Sequence, residues 1–93
     1  MVVHLKTSFV KELKKLPAHT QLSIYQVLKQ LRDSQALELS GVDFKKMEGQ
    51  KKGDHFYRIR VGQWRIDIEY INPDVIVFTV LSRGNIYKHF PPK

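Results

Sequence analysis

The sequence contains no cysteine, which excludes both a disulfide framework and a thiolate metal site and suits a reducing compartment. No apolar stretch reaches membrane-spanning length. The opening Met1-Val-Val-His-Leu-Lys6 has no basic segment leading into a long apolar run, so neither a transmembrane helix nor a secretory signal is expected and the cytoplasm is the expected location. Repeats, low-complexity tracts and Gly/Ser-rich linkers are missing too. Acidic residues are few: nine Asp and Glu stand against sixteen Lys and Arg, a formal charge of +7. That excess favours a polyanionic partner, and sign alone does not choose among nucleic acid, an anionic membrane and an acidic protein. No HExxH, carboxylate pair or Cys/His spacing marks a metal site, so no metal and no cofactor is expected. What remains is 93 residues with 42% hydrophobic content, enough for one domain over 1–93 near the size at which a single core only just suffices.

The most informative stretch is Phe56-Tyr-Arg-Ile-Arg-Val-Gly-Gln-Trp-Arg-Ile-Asp-Ile-Glu-Tyr70, which spells out a β-hairpin. Tyr57, Ile59 and Val61 alternate before Gly62-Gln63, and Trp64, Ile66, Ile68 and Tyr70 alternate after it. Glycine at the first central position predicts a two-residue type II′ turn. In that register Val61 opposes Trp64 and Ile59 opposes Ile66 on an apolar face, while Arg60 opposes Arg65 and Arg58 opposes Asp67 on the other. Like charges directly across a ladder repel, so the Arg60/Arg65 pair suggests a site for an anion. Arg58 suits equally well a cross-strand ion pair with Asp67. By parity Trp64 and Tyr57 belong to the core rather than to a base-stacking platform.

Before the hairpin, Val2 to Leu5 reads as a strand at an edge or pairing later in the sheet. Thr7 or Ser8 is placed to cap a helix with Phe9, Leu13 and Leu16 on its apolar face and Lys11, Lys14 and Lys15 outward. From Ala18 to about Ser34 a longer amphipathic helix shows Leu22, Tyr25, Leu28 and Leu31 with Ile24 as its stripe. Leu37 and Leu39 read as a buried connection, and Asp43 to Met47 as a weak strand. Lys45, Lys46, Lys51 and Lys52 are basic residues just ahead of the hairpin; alone they favour a solvated turn over the rim of an anion site. After Asn72-Pro73-Asp74, a turn signal, the apolar run Val75 to Leu81 predicts a central strand. His4, His19 and His55 read as surface or strand residues. The pattern predicts an α+β domain: an N-terminal strand and a helical hairpin on a mainly antiparallel sheet of about four strands.

The order of elements, the Phe56–Ile66 stretch, the Val75–Leu81 strand and the ending Arg83-Gly-Asn-Ile-Tyr87 resemble the RelE/ParE superfamily of toxins from bacterial type II toxin–antitoxin systems. The resemblance spans nearly the whole chain, with the hairpin followed by Arg83 and Tyr87 as its most specific part. It implies one of two activities: cleavage of messenger RNA in the ribosomal A site, as in the RelE branch, or poisoning of DNA gyrase, as in the ParE branch. In either branch a cognate antitoxin holds the toxin silent. Arg58 and Arg60 match the alternating basic pair of the first hairpin strand, Arg65 the arginine past the turn, Arg83 the arginine after the last strand, and Tyr87 the tyrosine near the C-terminus. The alternating pair differs from the best-known member in being Arg rather than Lys. The sequence also ends soon after Tyr87, where the family has a further helix, which draws attention to His89.

RNA cleavage through the 2′-hydroxyl requires that group deprotonated, the pentacoordinate phosphate stabilised and the 5′-oxygen protonated. Arg60, Arg65 and Arg83 suit the phosphate, because guanidinium forks grip its oxygens bidentately and stay charged. Tyr87 is the first candidate for proton transfer and His89 the second. Arg58, Lys45, Lys46, Lys51, Lys52 and Lys88 are the expected RNA-binding set. The leading expectation is therefore a metal-independent, ribosome-dependent mRNA endonuclease with ribosome, mRNA and antitoxin as partners and no membrane. A gyrase-directed toxin and a non-enzymatic nucleic-acid-binding module are the alternatives.

Overall fold

Five strands form one sheet in the computed structural model, which describes residues 1–51 and 53–82. The order along the chain is β1 (Val2–Leu5), α1 (Thr7–Lys14), α2 (Ala18–Asp33), a 3-10 turn at Leu37–Leu39, β2 (Phe44–Lys46), β3 (Phe56–Val61), β4 (Trp64–Ile71) and β5 (Asp74–Ser82). Within the sheet the order is β1-β5-β4-β3-β2, with β1 parallel to β5 and every other pair antiparallel. The α+β class is as expected. The sheet has one strand more than the expected four because Val2–Leu5 adds itself to β5 as an edge.

The hairpin pairs as its alternation dictates: Arg58 opposite Asp67, Ile59 opposite Ile66, Arg60 opposite Arg65 and Val61 opposite Trp64. Gly62 has φ of 60° and no non-glycine residue among the described residues has positive φ, the type II′ signature. Ile59, Ile66, Ile68, Val75, Val77 and Val80 face the helices and are buried with Phe9, Leu13, Ile24, Leu31 and Leu37. Tyr57 and Trp64 pack against this core, Tyr57 edge-on to both Phe44 and Tyr70. Helices thus cover one face of the sheet, leaving the other to the arginines.

In β5 the pairing skips a residue: Thr79 is opposite Asp67 and Val77 opposite Ile68, so Phe78 is bulged out of the ladder. Glu12 of α1 uses this irregularity, its Oε1 accepting from Thr79 Oγ1 at 2.6 Å and from the Val80 amide at 3.3 Å. Ser8 lies on the same helix, and its Oγ donates to the Phe78 carbonyl at 2.7 Å. Thr7 and Ser8 were the expected cap; instead Lys6 occupies that position with no side-chain cap, because the Ser8 hydroxyl fastens α1 to β5. The buried side of α2 is Thr20, Ile24 and Leu31 with Val27 and Leu28, whereas Leu22 and Tyr25 are exposed. The expected stripe was rotated, since Thr20 carries little apolar signal. Leu39, expected to be buried beside Leu37, is exposed as well: a short 3-10 turn has room for only one of the two under the sheet.

Candidate nucleic-acid interface

Strand alternation places Arg58, Arg60 and Arg65 together on the face opposite the helices, and the β2–β3 register sets Lys45 across from Arg58. The sheet brings these four together and leaves Lys46 out, since Lys46 pairs with Tyr57 and shares the core-side parity. Lys51 is exposed in the loop before β3. The Gln50 side-chain amide anchors that loop, donating to the Phe56 carbonyl at 2.9 Å and accepting from its amide at 2.8 Å as a strand residue would. Lys52, Arg83, Tyr87, Lys88 and His89 lie outside the described residues.

The three arginines differ in what restrains them. Arg58 donates through Nε and Nη2 to both carboxylate oxygens of Asp67, at 2.8 and 3.3 Å. This pair is enclosed, with Asp67 fully buried and the Arg58 side chain 15% exposed. Burial pushes the Asp67 carboxyl above its ordinary value, and the Arg58 guanidinium offsets only part of that shift. Arg60 donates through Nε alone to Asp43 Oδ2 at 2.8 Å, in a pair whose side chains are 62% and 58% exposed. Arg65 has no carboxylate partner among the described residues; its Nη1 donates to the carbonyls of Gly62 and Trp64 at 2.9 and 3.0 Å. The turn carbonyls therefore orient this guanidinium without neutralising it, and its Nε–Nη2 edge has no partner among the described residues.

Chemically, the face offers one fixed cation, one exposed cation with a single-point counterion, and one oriented cation with no carboxylate partner among the described residues. That combination suits the oxygens of a phosphodiester. Asp43 escaped the sequence reading, because only the pairing of β2 with β3 brings it to Arg60; the Arg60 amide also donates to the Asp43 carbonyl at 2.8 Å. Asp67 was legible as an ion-pair candidate from the hairpin register.

The toxin RelE3 of Methanocaldococcus jannaschii is 40% identical over 92 residues, covering 98% of this chain and all of the relative. The chain belongs to the RelE toxin family. Among solved structures, the RelB–RelE antitoxin–toxin complex from Methanococcus jannaschii contains a chain 36% identical to it, with a TM-score of 0.77 over 95% of this chain and 99% of that one. The intact RelBE toxin–antitoxin complex of E. coli, at 19% identity, matches with a TM-score of 0.66 over 87% of this chain and 94% of that one, which shows a shared fold. No protein-family model matches the chain. Membership of the RelE family agrees with the resemblance drawn from the hairpin and the C-terminal Arg83 and Tyr87.

Proposed function

We propose that this RelE-family chain is a cytoplasmic toxin that cleaves messenger RNA on the ribosome and is neutralised by a cognate antitoxin. The observation that carries the reading is the placement of Arg58, Arg60 and Arg65 on one sheet face of a chain with formal charge +7. Relatives of the same family occur in complexes with RelB antitoxins, which supports an antitoxin for this chain as well. In the proposed reaction Arg65 and Arg60 stabilise the charge developing on the phosphate, with Arg83 as a third donor. Tyr87 transfers the proton, with His89 as its competitor for that role. Lys45 and Lys51, with Lys52 and Lys88, hold the RNA backbone.

The test is expression without a partner, followed by mapping of message ends. Growth arrest with cuts confined to translated mRNA, relieved by co-expression of a cognate antitoxin, is the expected result. Arrest with intact mRNA and gyrase-linked DNA breaks would replace this reading by the gyrase-directed one. Tyr87→Phe should slow cleavage while retaining antitoxin binding; cleavage at the wild-type rate in Tyr87→Phe together with its loss in His89→Ala would transfer the role to the histidine.

A further inference from the structure

We infer that Asp43 is a resident stand-in for substrate phosphate: it occupies Arg60 in the free protein and gives way when a nucleic-acid phosphate arrives. This rests on the proposed RNA-directed function and adds a determinant of affinity to it.

Three features of the Asp43–Arg60 contact support exchange. The carboxylate touches only Nε, through one oxygen, whereas a phosphate can engage two guanidinium nitrogens at once and make the stronger contact. Both side chains are more than half exposed, so Asp43 can turn into water without leaving a buried charge behind. A phosphate and a carboxylate on the same guanidinium are like charges at close range, so a phosphate taking Nε displaces Asp43 and one taking the terminal nitrogens repels it. Return is equally simple, because the Arg60 amide holds the Asp43 carbonyl at 2.8 Å and keeps the carboxylate beside the guanidinium.

Arg58 provides the contrast. Its carboxylate is fully buried and engaged through both oxygens, so exchange there would strand a charge inside the protein. Every polyanion must displace Asp43 before it gains Arg60, so Asp43 lowers the affinity of the whole face.

The experiment measures binding of a short 2′-O-methyl RNA, which lacks the nucleophilic hydroxyl, to wild type, Asp43→Asn, Arg60→Gln and the double variant across a range of salt concentrations. Asp43→Asn should tighten binding by up to about fivefold at low salt, the scale of an exposed pair. It should also steepen the plot of log K against log salt by about 0.7, one further phosphate neutralised without a displaced carboxylate. Both changes should vanish in the Arg60→Gln background. Equal tightening with and without Arg60 would reduce the effect to net charge and overturn the inference. Weaker binding by Asp43→Asn would make the carboxylate a positioning group for Arg60, and no binding by any variant would overturn exchange outright. The two readings separate cleanly. Coupling between positions 43 and 60 in a protein that spares mRNA in cells leaves exchange standing and removes the nuclease; mRNA cleavage without coupling does the reverse.

Discussion

Two arginine–aspartate pairs lie on the same sheet face with the same shortest distance, 2.8 Å, yet they are different devices. At Arg58–Asp67 the carboxylate is sealed in and gripped by two nitrogens; at Arg60–Asp43 it stands in solvent and is held by one. Distance alone says that both arginines are neutralised. Burial separates them, because a sealed pair cannot dissociate without stranding a charge, whereas an exposed pair is stabilised by only about 0–1 kcal/mol and exchanges freely. Arg65, oriented by turn carbonyls with no carboxylate among the described residues, completes the series.

The largest expected effect is on the sealed pair. Asp67→Ala should destabilise the protein by about 3–5 kcal/mol, the cost of removing one partner of a buried pair, as read from the chemical-denaturation midpoint. A loss below about 1 kcal/mol would place this pair in the exposed class and end the distinction. Next comes Arg65. Its replacement by Ala should lower mRNA cleavage by roughly two to three orders of magnitude, the scale for losing one preorganised donor to a developing charge. Arg65→Lys should recover only part of this, because an ammonium lacks the fork. Toxicity equal to wild type in Arg65→Ala would make the face structural.

A third test is sharper though smaller. Because Asp67 is held above its ordinary value of 3.8, the folded state binds this proton more tightly than the unfolded chain does. The stabilisation it provides is full below the unfolded value and is lost as pH rises through the higher folded one. Asp67→Asn does not titrate at this position. The stability of wild type minus that of Asp67→Asn should therefore fall with rising pH across that window and level off above it, and a rise would mean that attraction by Arg58 outweighs burial. The smallest effect belongs to the exposed pair: Asp43→Asn should change stability by less than about 1 kcal/mol in thermal or chemical melts.

The same contrast explains what could be read without coordinates. The hairpin was legible in full, including the Arg58–Asp67 pairing, because strict alternation around a Gly-first turn permits one register only. Asp43 was not legible, since its contact depends on how a three-residue strand pairs with β3, and local sequence says little about that. Helix α2 was recognised as amphipathic but rotated: Leu22 and Tyr25 lie at helical spacing and look like a core stripe, while the small, polar Thr20 takes the buried place. Of the proposed site, Arg58, Arg60 and Arg65 share a face as alternation predicts, and the pairing of β2 with β3 adds Lys45, which the sequence placed only in a basic loop. Lys46 is excluded by the same rule once β2 is placed.

The bulge at Phe78 is, in arithmetic terms, a change of parity. Ahead of it the odd positions Val75 and Val77 point at the helices; beyond it the even position Val80 does. Deleting Phe78 would let the ladder run unbroken with Val80 still opposite Ile66 and facing the helices, and it would remove the carbonyl that Ser8 binds. The strand thus absorbs the loss of one residue at this point, whereas the gain of one would need a second bulge. Among RelE-family chains of this kind, a β5 one residue shorter should therefore lack the bulge and the α1 hydroxyl that holds it, with the core valines still in register.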